Sequence, residues 1–183
     1  PDYILGDFDS LSEKEAETVA QIAKAEEDKV IVLPVEKDDT DVALAAEIAL
    51  EKGYDTIYFF GLTGGRLDHT LANLQLLTVL CSKGITVYVF SPDCTITALT
   101  QGTLNFTEDY FGTISVFAST DEVKEVSLQG LKYSLENATL TNQKALGVSN
   151  EFMGIPASIR VSEGVLWIMW QESMECKLPE MIR

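Results

Sequence analysis

The sequence predicts an α/β protein of two domains. A parallel-sheet domain with helices on both faces covers residues 1–95, and an antiparallel β-domain, sandwich or barrel, covers residues 96–183. In the first half, short apolar runs alternate with helical patterns, which is typical of βα units. In the second half, helical periodicity disappears, and short runs follow one another between glycines. With 183 residues and a mean hydropathy of +0.09, the chain can bury a substantial core.

The first half reads as four strands and three connecting helices. Ser12 and Glu15 form a capping box that begins the first helix, and an apolar face after Asp41 marks the second. The third helix follows from leucines at three-residue spacing after Leu71. Successive βα units favour a parallel sheet with right-handed crossovers. The predicted strands are residues 3–5, 30–35, 56–60 and 86–90.

The second half reads as β-structure only. Strand candidates at this spacing, separated by turn residues, predict a small antiparallel sandwich or barrel. The candidates are residues 96–100, 113–118, 123–128, 132–135, 158–161 and 165–170.

Composition excludes several classes of partner. The net charge of −16 argues against nucleic acid, which requires a positive face, and no apolar run is long enough to span a membrane. Three cysteines share no metal-ligand spacing and indicate free thiols in a reducing, cytoplasmic compartment.

Acidic residues follow two of the predicted strands. Asp7 and Asp9 end the first strand, and Asp39 and Asp41 precede the second helix. Ligands of open α/β sheets bind outside the carboxyl ends of the strands, and carboxylate oxygens suit Mg²⁺. Helix capping explains some of these residues equally well, but it does not explain acidic pairs at successive junctions.

Residues 61–73 join the third strand to its helix and carry glycines, one arginine and one aspartate. Unpaired N–H groups at such a turn can bind an anion. Arg66 offers a planar fork for phosphate oxygens, and Asp68 offers a metal ligand. The segment differs from a Walker loop, because no Gly-Lys-Ser/Thr sequence occurs in the chain.

Two stretches of the second half suit a flat heteroaromatic ligand. Tyr133 follows Gly130, while Ser149 and Asn150 follow Gly147, so a ring, a hydroxyl and an amide lie near glycine bends. A core tyrosine with ordinary turn residues is an equally good interpretation of the same pattern.

Taken in order, residues 6–10, 37–41, 61–73, 130–133 and 147–151 resemble the thiamine pyrophosphokinase family. The resemblance covers nearly the whole chain. It implies an α/β domain, a β-sandwich domain, and a homodimer with active sites shared between subunits. It also implies transfer of pyrophosphate from ATP to thiamine with Mg²⁺, which gives thiamine diphosphate and AMP.

The resemblance also implies roles for individual residues. The expected catalytic residues and metal ligands are Asp7, Asp9, Asp39, Asp41 and Asp68. The expected ATP and phosphate contacts are Ser10, Lys37, Thr40, Thr63, Gly64, Gly65, Arg66, His69 and Asn73. The expected thiamine contacts are Tyr133, Ser149 and Asn150.

The chain departs from the family pattern in two places. The family has a further strand and helix before the position of Gly6, and it favours tryptophan where this chain has Tyr133.

Two other functions remain open from the sequence. Residues 7–10 after an apolar strand also resemble the first motif of haloacid-dehalogenase-type phosphatases, in which Asp7 would be a nucleophile. That hypothesis leaves residues 61–73 unused. A non-catalytic sensor of nucleotide or thiamine is the third possibility, which the five aspartates argue against.

Overall fold

A computed structural model describes residues 3–6, 8, 11–25, 29–33, 40–171 and 178–183. It shows a mixed α/β protein that divides into two compact units, Pro1–Tyr54 and Asp55–Arg183. The helices of the described residues are α1 (Glu13–Ala25), α2 (Asp41–Glu51) and α3 (Leu67–Ser82). The strands are β1 (Ile4–Gly6), β2 (Val30–Val32), β3 (Thr56–Phe60), β4 (Thr86–Phe90), β5 (Thr95–Leu99), β6 (Gly102–Phe106), β7 (Thr113–Ala118), β8 (Glu122–Gln129), β9 (Leu135–Thr141), β10 (Gly147–Glu151), β11 (Ala157–Val161), β12 (Leu166–Trp170) and β13 (Glu180–Ile182).

The first unit pairs β1 and β2 in parallel, with Ile4 opposite Val30. Helix α1 begins where the capping box predicts, since the backbone N–H and the hydroxyl of Ser12 donate to the Glu15 carboxylate at 2.9 and 2.6 Å. Helix α2 is capped by Thr40, whose Oγ1 accepts the backbone N–H of Ala43 at 3.2 Å.

The second unit contains a six-stranded mixed sheet of order β10-β7-β12-β5-β4-β3. Strands β3 and β4 are parallel, and every other neighbouring pair is antiparallel. Helix α3 lies against β4 and β5 and buries Leu77, Leu80 and Cys81. Trp167 Nε1 on β12 also donates to Thr78 Oγ1 of α3 at 2.9 Å, which ties the helix to the sheet.

A second, antiparallel sheet of order β13-β6-β11-β8-β9 completes this unit. Apolar side chains of both sheets meet in one buried cluster, to which the six-stranded sheet contributes Ile114 and Ile168 and the five-stranded sheet contributes Leu104 and Ile159. Along β6 and β11 the residues alternate between this core and the outer face, as the period of two requires, whereas all five residues of β5 are buried.

The predicted separation of a parallel sheet from an antiparallel one is confirmed only in part. Strands β1 and β2 pair in parallel as predicted, but β3 and β4 share a sheet with antiparallel strands of the second half. The short turn between β4 and β5 is the physical reason. It is closed by a bond from Ser91 N–H to Cys94 O at 3.0 Å, and so short a connection permits only antiparallel pairing. The functional boundary near residue 95 stays a prediction.

Within the part of the chain that the structure describes, no helix is both long and apolar enough to cross a lipid bilayer. Cys81 is a buried free thiol, and Cys94 forms no disulfide bond.

Candidate functional site

The glycine loop, residues 61–66, turns the chain from the end of β3 into α3. Gly61, Gly64 and Gly65 have φ values of +74°, +97° and +61°, which disfavour any residue with a side chain. An added Cβ would meet nothing within 4 Å at any of the three. Glycine is therefore required here by backbone conformation and not by lack of space, and the loop is open to a ligand.

Two side chains hold the glycine loop in place. Asn73, from α3, donates its Nδ2 hydrogen to Leu62 O at 2.9 Å. Thr63 Oγ1 and Ser91 Oγ lie 2.6 Å apart in a hydrogen bond that links the loop to the end of β4. Ser91 was missed by the sequence analysis, although a polar residue directly after a buried strand is a usable signal.

Arg66 and Asp68 form an ion pair at the start of α3. Arg66 donates from Nε to Asp68 Oδ1 at 3.2 Å and from Nη2 to Oδ2 at 2.6 Å. The hydrogen bond from Arg66 is the largest cause that lowers the pKa of Asp68 to about 2, and the backbone N–H of His69, 3.0 Å from Asp68 Oδ1, also lowers it. Both side chains are exposed, 70% for Arg66 and 64% for Asp68. The predicted metal ligand is thus engaged with the predicted phosphate ligand.

In the first unit, Asp41 lies at the carboxyl end of β1. Its Oδ2 is 3.8 Å from the position that a Cβ on Gly6 would occupy, so the carboxylate reaches the strand end as the acidic pairs predict. Thr40, predicted to contact phosphate, caps α2 through its Oγ1, and this bond uses an acceptor lone pair and not the hydroxyl hydrogen.

Several predicted positions lie outside the described residues, namely Asp7, Asp9, Ser10, Lys37 and Asp39. Among the residues that are described, no three acidic, histidine or cysteine side chains form a group that could hold a metal. The chemistry of Asp41 fits Mg²⁺, because a carboxylate is the oxygen ligand that this ion prefers.

A second group of predicted residues surrounds Asn150 on β10. The Asn150 side chain is only 3% exposed. Its Oδ1 accepts the backbone N–H groups of Tyr133 and Glu151, both at 2.9 Å, and its Nδ2 donates to Tyr133 O at 2.7 Å. Tyr133, by contrast, is 59% exposed.

Neighbouring residues join the same turn to β10. Lys132 N–H donates to Glu151 O at 3.0 Å, and Lys132 Nζ pairs with Glu151 Oε1 at 2.7 Å, which raises the pKa of Lys132. Residues 132–135 were predicted as a strand, and this prediction is wrong for 132–134. These residues form a turn after Gly130, which has a φ of +69°, and β9 begins only at Leu135.

Ser149 occupies a bulge in the pairing of β10 with β7. Its φ of +58° is unusual for a residue with a side chain. Its N–H donates to Ser115 Oγ at 3.0 Å, which holds this conformation, and the residue is exposed. Ser115 and Glu151 were not identified from the sequence, because neither carries a recognisable spacing.

The described contacts therefore assemble the predicted residues of the second unit into two groups. The loop group consists of Thr63, Gly64, Gly65, Arg66, Asp68, His69 and Asn73, joined by Ser91. The turn group consists of Tyr133, Ser149 and Asn150, joined by Lys132, Glu151 and Ser115.

The chain matches two protein-family models in succession. Residues 1–89 match "Thiamin pyrophosphokinase, catalytic domain", and residues 101–166 match "Thiamin pyrophosphokinase, vitamin B1 binding domain". Apart from Ser91, the loop group lies within the first match, and the turn group lies within the second.

Individual relatives agree with these matches. The chain is 34% identical to a thiamine pyrophosphokinase of Bacillus subtilis over 91% of its own length and 76% of that protein. It is also similar to the crystal structure of a Bacillus subtilis thiamine pyrophosphokinase, with a TM-score of 0.81, 32% identity and coverage of 95% of this chain and 79% of the other. A thiamin pyrophosphokinase structure from Geobacillus thermodenitrificans gives a TM-score of 0.75 and 32% identity, covering 97% of this chain and 80% of the other.

The ion pair predicts a measurable titration. We expect Arg66→Gln to raise the pKa of Asp68 from about 2 toward the ordinary aspartate value, because the main cause of the shift is removed. The pH dependence of the Asp68 carboxyl carbon resonance measures this pKa. Because the folded-state pKa is lowered, the pair contributes stability above the ordinary aspartate pKa, and the contribution is lost as pH falls through about 2.

Arg160→Gln is the matched control, since this exposed arginine on β11 is not bonded to Asp68. An unchanged Asp68 titration in Arg66→Gln would show that the pair does not persist in solution.

Proposed function

Because the chain belongs to the thiamin pyrophosphokinase family, we propose that it transfers the pyrophosphoryl group of ATP to the hydroxyl of thiamine, giving thiamine diphosphate and AMP. The observation that carries the proposal is the ordered match of both halves, the catalytic domain over residues 1–89 and the vitamin B1 binding domain over 101–166. The functional boundary is proposed between these matches, near residue 95. The phosphatase alternative gains no support, because it accounts for only one motif of the first half.

The loop group is proposed to bind the phosphates of ATP. Its glycine loop has open space at all three glycines, and α3 begins directly after it, where the first N–H groups of a helix have no partner within the helix. Asp68 occupies two of the five N–H donors of Arg66, so three donors are left for phosphate oxygens. In this arrangement Asp68 orients the guanidinium, while Asn73 and Ser91 hold the loop.

Magnesium is proposed as the metal, held by Asp41 together with Asp7, Asp9 and Asp39. Such an ion, when bound, neutralises phosphate charge during transfer. Asp68 is a weaker candidate for this role, because its oxygens already accept hydrogen bonds from Arg66 and from the His69 backbone.

The turn group is proposed to bind thiamine. The exposed Tyr133 ring offers a face for the cationic thiazolium, a contact worth about 1 kcal/mol. The exposed Ser149 lies nearby on β10 and offers a hydroxyl for the polar atoms of the pyrimidine. The acting unit is proposed to be a cytoplasmic homodimer in which the loop group of one subunit and the turn group of the other share a site.

The reaction itself is tested by its products. We expect the protein with ATP, Mg²⁺ and thiamine to form AMP and thiamine diphosphate in equal amounts, as measured by chromatography. Release of inorganic phosphate without thiamine diphosphate would indicate the phosphatase. Binding of thiamine without any turnover would indicate a sensor, and either result would refute the proposed function.

Arg66→Lys tests the phosphate assignment. The change keeps the charge but loses the planar fork, and one charge-assisted hydrogen bond is worth roughly 1.5–3 kcal/mol. We therefore expect kcat to fall about 10- to 100-fold, with a much smaller change in the KM for thiamine. Arg160→Lys is the control and should retain normal kinetics. A raised thiamine KM with normal kcat would place Arg66 on the other substrate.

A mixing experiment tests the shared site. Arg66→Ala should impair the phosphate part of a site, and Tyr133→Ala should impair its thiamine part. If the parts come from different subunits, each hybrid dimer has one intact site. Random mixing would then restore about a quarter of wild-type activity at low thiamine, since half of the dimers are hybrids. Hybrids that form and stay as inactive as their parents would place each site within one chain.

A further inference from the structure

We propose that Asn150 is a positioning residue that acts on thiamine through Tyr133 and does not itself bind the substrate. The inference rests on the proposed function and deepens it. It departs from the expectation that Asn150 contacts thiamine directly, and the bonds of its amide are the reason.

The hydrogen-bonding capacity of Asn150 is nearly exhausted by the protein. Its Oδ1 has two lone pairs, and both face backbone N–H donors, those of Tyr133 and Glu151. Its Nδ2 has two hydrogens, and one is donated to Tyr133 O. The residue is also only 3% exposed. A direct contact with thiamine would have to break one of these bonds or rely on a single buried N–H group.

The same bonds fix the backbone of Tyr133 at both of its polar atoms. The side-chain amide of Asn150 accepts from the Tyr133 N–H and donates to the Tyr133 C=O, the same pair of hydrogen bonds that a neighbouring strand would make. Because that backbone is fixed, the exposed ring retains only its two side-chain torsions.

Two further contacts make the turn rigid. Lys132, the residue before Tyr133, forms an ion pair with Glu151 and so connects the turn to β10. At its start, Gly130 packs so closely that an added Cβ would overlap Pro156 O. The turn is therefore attached at three places: at its start, at Lys132 and at Tyr133. Because the Tyr133 ring is preorganised before a ligand binds, the entropy cost of binding is lower.

This arrangement predicts which kinetic constants change. Loss of the Asn150 amide would let Tyr133 move and weaken its stacking on the cationic ring. The KM for thiamine should rise about five- to tenfold, while the KM for ATP and the kcat at saturating thiamine change little.

A double-mutant cycle separates positioning from direct binding. Asn150→Ala and Tyr133→Ala are each expected to raise the thiamine KM by that factor. The double variant should be no worse than the poorer single variant, because Asn150 has no ring left to position. If the two effects multiply, Asn150 contacts thiamine independently and the proposal is overturned.

Two variants complete the design. Asn142→Ala is the control, since this exposed asparagine donates to Asp121 Oδ1 on another turn, at 3.1 Å, and should leave the thiamine KM unchanged. Asn150→Asp keeps both acceptor positions and loses the donor to Tyr133 O. Its second carboxylate oxygen would face Tyr133 O across the 2.7 Å that the amide donor now spans, so it should raise the thiamine KM about as much as Asn150→Ala does. A merely space-filling role predicts a normal KM for Asn150→Asp instead, because the two side chains have nearly the same size and shape.

Amide hydrogen exchange tests the contact even if Asn150→Ala does not fold. In the wild-type protein without ligands, Tyr133 N–H should exchange slowly despite its place in a surface turn. Rapid exchange there would overturn the proposal. Absence of thiamine-dependent AMP formation in the wild-type enzyme would overturn the proposed function as well, whereas an additive cycle in an active enzyme would overturn the role of Asn150 alone.

Discussion

The apolar core between the two sheets of the second unit is the constraint on which the rest of this structure depends. Ile114 and Ile168 from one sheet meet Leu104, Leu128 and Ile159 from the other, and each is at most 1% exposed. Burial of each such side chain contributes about 1.5–3 kcal/mol. The core fixes the strands, and the strands end in the turns that carry the candidate site. The packing of the buried side chains thus determines where the exposed side chains of the candidate site lie.

The two candidate groups are held by the same physical device. In each, an asparagine amide donates to a backbone carbonyl of an adjacent turn, Asn73 to Leu62 O and Asn150 to Tyr133 O. A turn with few apolar contacts gains little from the core, so specific hydrogen bonds determine its conformation. The two asparagines therefore hold turns beside the exposed residues Arg66 and Tyr133.

Electrostatics are organised locally in a chain whose overall charge is −16. Arg66 keeps donors for an anion while Asp68 restrains its fork, and Lys132 is similarly paired with Glu151 beside Tyr133. Both of these cations, Arg66 and Lys132, are thus paired with a carboxylate. A negatively charged substrate would therefore meet a guanidinium whose orientation Asp68 restrains. A restrained guanidinium of this kind is consistent with the proposed binding of the ATP phosphates.

The sequence by itself determined the local features of this protein and its family. The capping box at Ser12, the glycine turn between β3 and α3, and the period-two strands of the second half are local patterns, and local sterics suffice to produce them. Only the tertiary structure decided that β3 and β4 join the antiparallel strands, that Asp68 pairs with Arg66, and that Asn150 bonds Tyr133. The pairing of strands and the hydrogen-bond partners of side-chain amides depend on which distant segments pack together in the core. The periodicity of the sequence carries no information about these long-range contacts.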